Sequence, residues 1–192
     1  MKKVGLLFGS FNPIHIGHLI IAEHMRSTQQ PHEIWFVITP QNPFKINKTL
    51  LDENHRLEIT KKSIADNPYF KICDIEFGLE KPNYTYKTLK VLREKYPNHQ
   101  FQLIIGWDNY LSFNYWKNFS EILQHHKVLV YPRKVNNAFV EIMHHNNIIK
   151  TDAPLIEISS TQVRQKIKNN ESTKYLITSE AEIYIKQHTF YQ

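Results

Sequence analysis

Apolar residues along this 192-residue chain fall into short runs separated by stretches with helical spacing. Residues 4–8 and 33–38 form near-continuous apolar runs, as strands buried on both faces require. Residues 101–105 and 128–131 form two more, and residues 70–75 alternate in the two-residue period of a half-buried strand. Between them the spacing changes to that of helices. One continues from Leu19 to about Thr28. A second opens at Asp52, a good cap, with Glu53 in its first turn and Leu57, Thr60 and Ile64 expected inward; Asn67-Pro68 ends it. A third, residues 85–96, carries Leu89, Leu92 and Tyr96 and stops at Pro97. Phe139, Ile142 and Met143 suggest a further helix, residues 155–158 a short last strand, and residues 160–168 and 180–188 two final helices. Strands alternating with helices predict an α/β chain with a parallel sheet of about five strands and right-handed crossovers. A small helical part follows at the C-terminus, and residues 1–192 read as one domain. In such sheets ligands bind beyond the carboxyl ends of the strands, where strand order reverses. The loops at residues 9–18 and 106–116 both follow strands and are expected to face one cleft.

Composition narrows the classes. Hydrophobic content is 41% and charged content 22%, ordinary for a globular chain. No stretch approaches the roughly 18 apolar residues of a membrane span, and the basic start lacks an apolar leader segment; no membrane partner is expected. The single cysteine, Cys73, excludes an internal disulfide and fits a reducing compartment, so a cytoplasmic location is expected. The net charge of +6 suits phosphorylated small molecules. Without a basic run, a zinc finger or an RNP pattern, nucleic acid is not an expected partner. No oligomer signature stands out.

Two stretches concentrate chemistry. The first is Gly9-Ser10-Phe11-Asn12-Pro13-Ile14-His15-Ile16-Gly17-His18, between a strand and a helix. Such a turn gathers backbone N–H groups, and the helix terminus adds positive potential, which suits phosphate. His15 and His18 are three apart and share one side of a helix beginning near Ile16. The second stretch is Ile158-Ser159-Ser160-Thr161-Gln162-Val163-Arg164. Ser159 with Gln162 is a capping pattern that opens a helix, and hydroxyls and N–H groups crowd at its start. Arg164, one turn in, has the fork geometry for a phosphate. No metal-ligand set is apparent: two histidines are an incomplete site without nearby Cys or carboxylates. The doublets His125-His126 and His144-His145 read as surface residues.

Residues 9–18 resemble the Gly-[Ser/Thr]-Phe-Asp-Pro-x-His-x-Gly-His signature of the HxGH nucleotidyltransferase superfamily, with Asn12 where Asp is usual. Residues 158–164 resemble its C-terminal Ile-Ser-Ser-Thr-x-[Ile/Val]-Arg signature. The middle of the chain is similar to nicotinate mononucleotide adenylyltransferases. It carries Pro40-Gln41-Asn42-Pro43-Phe44-Lys45, His55-Arg56-Leu57, Asn83-Tyr84-Thr85-Tyr86-Lys87-Thr88-Leu89, and Ile105-Gly106-Trp107-Asp108 followed by Trp116. Tyr131-Pro132-Arg133 stands where the family more often reads Arg-Pro-Gly, which leaves Arg133 without an assigned role.

The resemblance implies a Rossmann-like nucleotidyltransferase fold and transfer of AMP from ATP to nicotinate mononucleotide, with Mg²⁺ accompanying ATP. It implies ATP contacts from Gly9, Ser10, Phe11, His15, His18, Gly106, Ser159, Ser160, Thr161 and Arg164. His15, His18, Lys45 and Arg164 are the catalytic candidates. Asn12, Lys45, Thr85, Asp108 and Trp116 are the candidates for the mononucleotide pocket. Plainer readings accompany four of these: Lys45 a solvated loop lysine, Trp116 a core residue, Asp108 and Thr85 helix caps. Pantetheine-phosphate adenylyltransferase and a non-catalytic nucleotide-binding module are the alternative functions.

Overall fold

A computed structural model describes residues 1–41, 50–134 and 144–192. Lys45 and the helix expected around Phe139, Ile142 and Met143 lie outside the described residues. Six parallel strands form one sheet: β1 (Lys2–Gly9), β2 (Glu33–Ile38), β3 (Phe70–Cys73), β4 (His99–Gly106), β5 (Lys127–Tyr131) and β6 (Ile148–Lys150), in spatial order β3-β2-β1-β4-β5-β6. This is the Rossmann order, and the reversal falls between β1 and β4. The sixth strand was not expected. It is three residues long and partly exposed at the sheet edge, so it carries no apolar run. Residues 155–158, expected as a strand, have no regular structure.

The apolar runs split by alternation. Leu7, Phe36, Ile38, Ile104 and Leu129 face one core. Val4, Leu6, Val37, Leu103 and Ile105 face the other. The first core is covered by α1 (Ile16–Gln29), α2 (Glu53–Ser63), α6 (Ser160–Lys168) and α7 (Ser179–Gln187), which contribute Ile21, Met25, Ile59, Val163 and Ile185. The second is covered by α3 (Thr85–Lys95), a short α4 (Trp107–Tyr110) and α5 (Phe119–His125), with Leu89, Leu92, Tyr110 and Ile122. Burying both faces removes about 25 cal/mol of unfavourable apolar hydration per Å², which outweighs weak helix propensity.

Three expectations change in the packing. The inner face of α2 is Arg56, Ile59, Thr60 and Ser63, with Leu57 only partly buried. His126 is buried, not on the surface; its Nδ1 donates to the Phe101 carbonyl at 3.0 Å, and burial pushes its pKa down to about 4. The strand expected over residues 70–75 ends at Cys73 and gives way to a 3-10 turn, Ile75–Gly78.

Arg56 is the unusual member of that inner face, at 1% exposure. Its Nε donates to Leu51 O at 2.8 Å, Nη1 to Ser10 O at 2.6 Å and Thr39 O at 2.9 Å, and Nη2 to Pro40 O at 3.4 Å. One planar fork thus ties the ends of β1 and β2 to the entry of α2. Arg56→Ala should destabilise the protein by about 3 kcal/mol or more, since buried carbonyls lose their donors. Arg56→Lys should recover less than half of that, because a point charge cannot span divergent acceptors. Urea unfolding midpoints of both variants provide the measurement, and a fully rescued Lys variant would contradict the account.

Candidate active site

The loop between β1 and α1 is shaped by its own residues. Phe11 has a left-handed backbone (φ 43) that a bulky residue rarely adopts. Its ring lies so close over Gly9 that a Cβ there would meet it at 2.8 Å. The ring also packs edge-on to His18, with centroids 5.1 Å apart. Gly17 is needed for a second close approach: a Cβ would stand 2.8 Å from Ile156 and 3.0 Å from the His15 ring. These contacts bring His15 and His18 together, stacked with centroids 3.7 Å apart.

The histidines differ in environment. His15 caps α1 and is 5% exposed; burial first, and the Arg133 charge second, push its pKa down to about 4, so the ring is neutral at pH 7. The His15 backbone N–H donates to His18 Nδ1 at 3.2 Å. Because Nδ1 accepts, the neutral His18 ring carries its proton on Nε2. Its proton thus lies on the nitrogen away from the loop.

Two clefts open at the carboxyl ends of β1 and β4, sharing Leu7 and Tyr131 as a wall. One is lined by His15, Gly17, His18, Arg133, Ile156 and Ile158. The other is lined by Ser10, Glu76, Thr85, Asn109, Trp116 and Lys117 among others. Of the residues singled out from sequence, the structure therefore gathers Gly9, Ser10, His15, His18, Thr85 and Trp116 about this paired opening. Gly106 ends β4 beneath it, with Tyr131, Arg133 and Asp108 converging over its Cα. Asp108 pairs with Arg133 at 3.4 Å, which gives Arg133 a place beside the histidine cleft. The plainer cap readings of Asp108 and Thr85 do not hold: Gly106 caps α4 and Tyr84 caps α3, with Thr85 as the first helical residue. Trp116 both packs on the core, 5.3 Å from Phe113, and lines the second cleft.

The other candidates hold the loop from behind. Asn12 is 2% exposed, and its Oδ1 accepts from Leu51 N–H at 3.2 Å and Tyr191 Oη at 2.8 Å. Arg164 Nη1 donates to Asn12 O at 2.7 Å, and Ser160 Oγ donates to Pro13 O at 2.8 Å. Ser159 caps α6, accepting from Gln162 N–H at 3.2 Å. Thr161 and Arg164 border a separate groove with Leu51, Lys168 and Tyr191. Phe11 is 2% exposed.

Glu76, Lys117 and Tyr191 were not singled out from sequence. Glu76 lies in a turn of low periodicity, Lys117 resembles any surface lysine, and Tyr191 stands one residue from the end. Glu76 is 1% exposed beneath the second cleft and accepts from Thr88 Oγ1 at 2.6 Å. Burial pushes its pKa up to about 7, with the Thr88 hydroxyl partly opposing.

Residues 6–166 match the cytidylyltransferase-like family. The chain belongs to that family. Among similar family members, a probable nicotinate-nucleotide adenylyltransferase of Cytophaga hutchinsonii is 47% identical over 190 residues, covering 98% of each chain. One so named in Flavobacterium psychrophilum is 45% identical, covering 99% of each. Among solved structures, Plasmodium falciparum nicotinic acid mononucleotide adenylyltransferase complexed with NaAD superposes with a TM-score of 0.78 at 20% identity. It covers 100% of this chain and 98% of that one, a likeness of fold.

Glu76 gives this family member a measurable pH dependence. The unfolded carboxyl titrates near its ordinary 4.5 and the folded one near 7, so this group's contribution to stability falls as pH rises through that window. Glu76→Gln mimics the protonated form. Its stability relative to the native protein should therefore increase between pH 5 and pH 8, by about 2–3 kcal/mol. Denaturant unfolding at the two pH values gives the difference, and a pH-independent difference would show an ordinary carboxylate.

Proposed function

We propose that this chain is a nicotinate-nucleotide adenylyltransferase, transferring AMP from ATP to nicotinate mononucleotide with release of pyrophosphate. The full-length similarity to relatives so named supports the reaction, and the adjoining clefts supply two places for its two substrates. The observation that carries the reading is their shared wall, with the β1 loop reaching both. ATP takes the histidine cleft and the mononucleotide takes the cleft of Thr85 and Trp116. Residues 1–192 act as one nucleotidyltransferase domain, in the cytoplasm. No described helix is long and apolar enough to cross a membrane.

A phosphate oxygen of the mononucleotide attacks the α-phosphorus of ATP in line. The new P–O bond forms as the bond to the β-phosphate oxygen breaks, and pyrophosphate carries the electron pair away. The nucleophile is already anionic, so no general base and no covalent enzyme intermediate are required. The protein aligns two polyanions and stabilises charge that builds at the α-phosphate. His18, with its proton on Nε2, donates to a non-bridging oxygen there. His15 and Arg133 border the same space. Ser160 and Arg164 fix the loop backbone. With Thr161, which shares a neighbouring groove with Arg164, they are assigned to the β- and γ-phosphates, and Lys45, outside the described residues, is assigned to the reacting phosphates. Trp116 stacks on the pyridinium face, an arrangement that favours a cationic ring.

Among the described residues no cluster of three or more His, Cys, Asp or Glu side chains could hold a metal ion. Mg²⁺ is proposed to accompany ATP, where phosphate oxygens and water would hold it in the manner usual for that ion.

His18→Ala should lower kcat at least about a hundredfold, near 3 kcal/mol of barrier, with little change in KM. Pyrophosphate release at saturating substrates gives kcat, and an undiminished value removes His18 from the mechanism. Trp116→Ala should raise KM for the mononucleotide more than KM for ATP. Equal increases in a two-substrate titration would mark Trp116 as a core residue alone.

A further inference from the structure

We infer that Lys117 selects an acceptor bearing a carboxylate on its ring, by placing an ammonium at the ring end of the acceptor cleft. The inference rests on the adenylyl-transfer reading above. The reacting phosphate must lie at the Ser10 and His18 end to reach ATP, so the pyridine ring takes the opposite end, beside Trp116. Lys117 follows Trp116 in the chain and lines that end. Its Nζ lies 4.8 Å from the centroid of the Tyr84 ring, on the residue that caps α3. The ammonium is thereby carried from the Trp116 side of the cleft to the Thr85 side.

The charge balance of the cleft gives this position its consequence. Among the described residues lining it, Lys117 is the one cation and Glu76 the one carboxyl group. Glu76 is buried under the floor, hydrogen-bonded to Thr88, and burial favours its neutral form. No ion pair to Lys117 occurs among the described residues, unlike Arg133, which Asp108 holds, or Lys87, which Glu80 holds. An aromatic face attracts a cation without neutralising it. A ring carboxylate can accept a charge-assisted hydrogen bond from such an ammonium, whereas a carboxamide offers only a neutral oxygen. The phosphate is common to both acceptors, so a charge at the ring end acts on the group by which they differ.

The test compares nicotinate mononucleotide with nicotinamide mononucleotide, each with ATP, by pyrophosphate release. In Lys117→Met, which keeps the stem over Tyr84, the ratio of kcat/KM for the acid over the amide should fall about fivefold to tenfold. Lys117→Arg should restore most of that ratio. Equal losses with both acceptors would mean that the charge serves the shared phosphate, and an unchanged kcat/KM with each would mean that it serves neither; both leave the ratio constant and overturn the assignment while leaving the reaction intact. A native protein that adenylylates neither acceptor would overturn the reaction and the assignment together.

Discussion

The buried Arg56 guanidinium is the constraint on which the site depends. Parallel strands end in exposed carbonyls, and here two of those ends must curl over to make a floor for ligands. Ser10, Thr39, Pro40 and Leu51 turn their carbonyl oxygens inward, where water cannot reach them freely. Carbonyls left that way cost about 1–3 kcal/mol each. A single fork with five N–H donors satisfies all four and fixes their relative positions. Its hydrogen bonds go to carbonyl dipoles, and Glu53 and Asp52 at the start of α2 act on its charge only through space. That charge lies behind a loop proposed to face phosphates, where it adds to the potential that the α1 terminus supplies.

The same loop is held from the far end of the chain. Ile16 N–H donates to Leu176 O at 2.8 Å, Ser160 holds Pro13, Arg164 holds Asn12 O, and Tyr191 holds Asn12 Oδ1. α7 is anchored in turn against α2, through His55 Nδ1 to Tyr184 Oη at 3.1 Å and the hydroxyls of Thr178 and Ser63 at 3.3 Å. Arg56 and the C-terminal helices therefore grip one loop from two sides, joined by a common helix. A catalytic geometry that tolerates little displacement needs such over-determination, because an error of about 1 Å can cost a hundredfold in rate.

Much of this was legible in the residues, and the reasons are specific. Apolar runs such as Val4 to Phe8 can be satisfied only by burial on both faces, so parallel strands and their cleft followed from periodicity. Gly9 and Gly17 sit where the rings of Phe11 and His15 and the Ile156 side chain leave no room for a Cβ, which is why the signature loop was readable as a unit. What escaped notice depends on contacts distant in sequence. β6 has too few apolar residues to show a period and gains its place from pairing with β5. Leu57 has the apolar character of an inward residue, yet Arg56 occupies the inner face because four carbonyls converge there. His126 stands in a doublet of surface appearance, yet Phe101 O recruits it inward. Lys117 acquires significance only from Tyr84, 33 positions earlier.

Asn12 shows how such contacts resolve a departure from a signature. The signature that residues 9–18 resemble has Asp there, and a missing carboxylate in a loop proposed to face phosphates invites an electrostatic explanation. The structure shows the Oδ1 oxygen accepting from a backbone N–H and from a tyrosine hydroxyl, at 3.2 Å and 2.8 Å. Asp and Asn present that oxygen in the same place, so both can hold Leu51 and Tyr191. What differs is the charge. A carboxylate would add a negative charge beside Arg164, whose Nη1 donates to Asn12 O at 2.7 Å, whereas the amide adds none. An amide there thus keeps the two accepted bonds and leaves the positive potential behind the loop higher than a carboxylate would. In this chain, therefore, the twelfth residue acts on the loop as a hydrogen-bond acceptor, and the electrostatic work passes to the arginines around it.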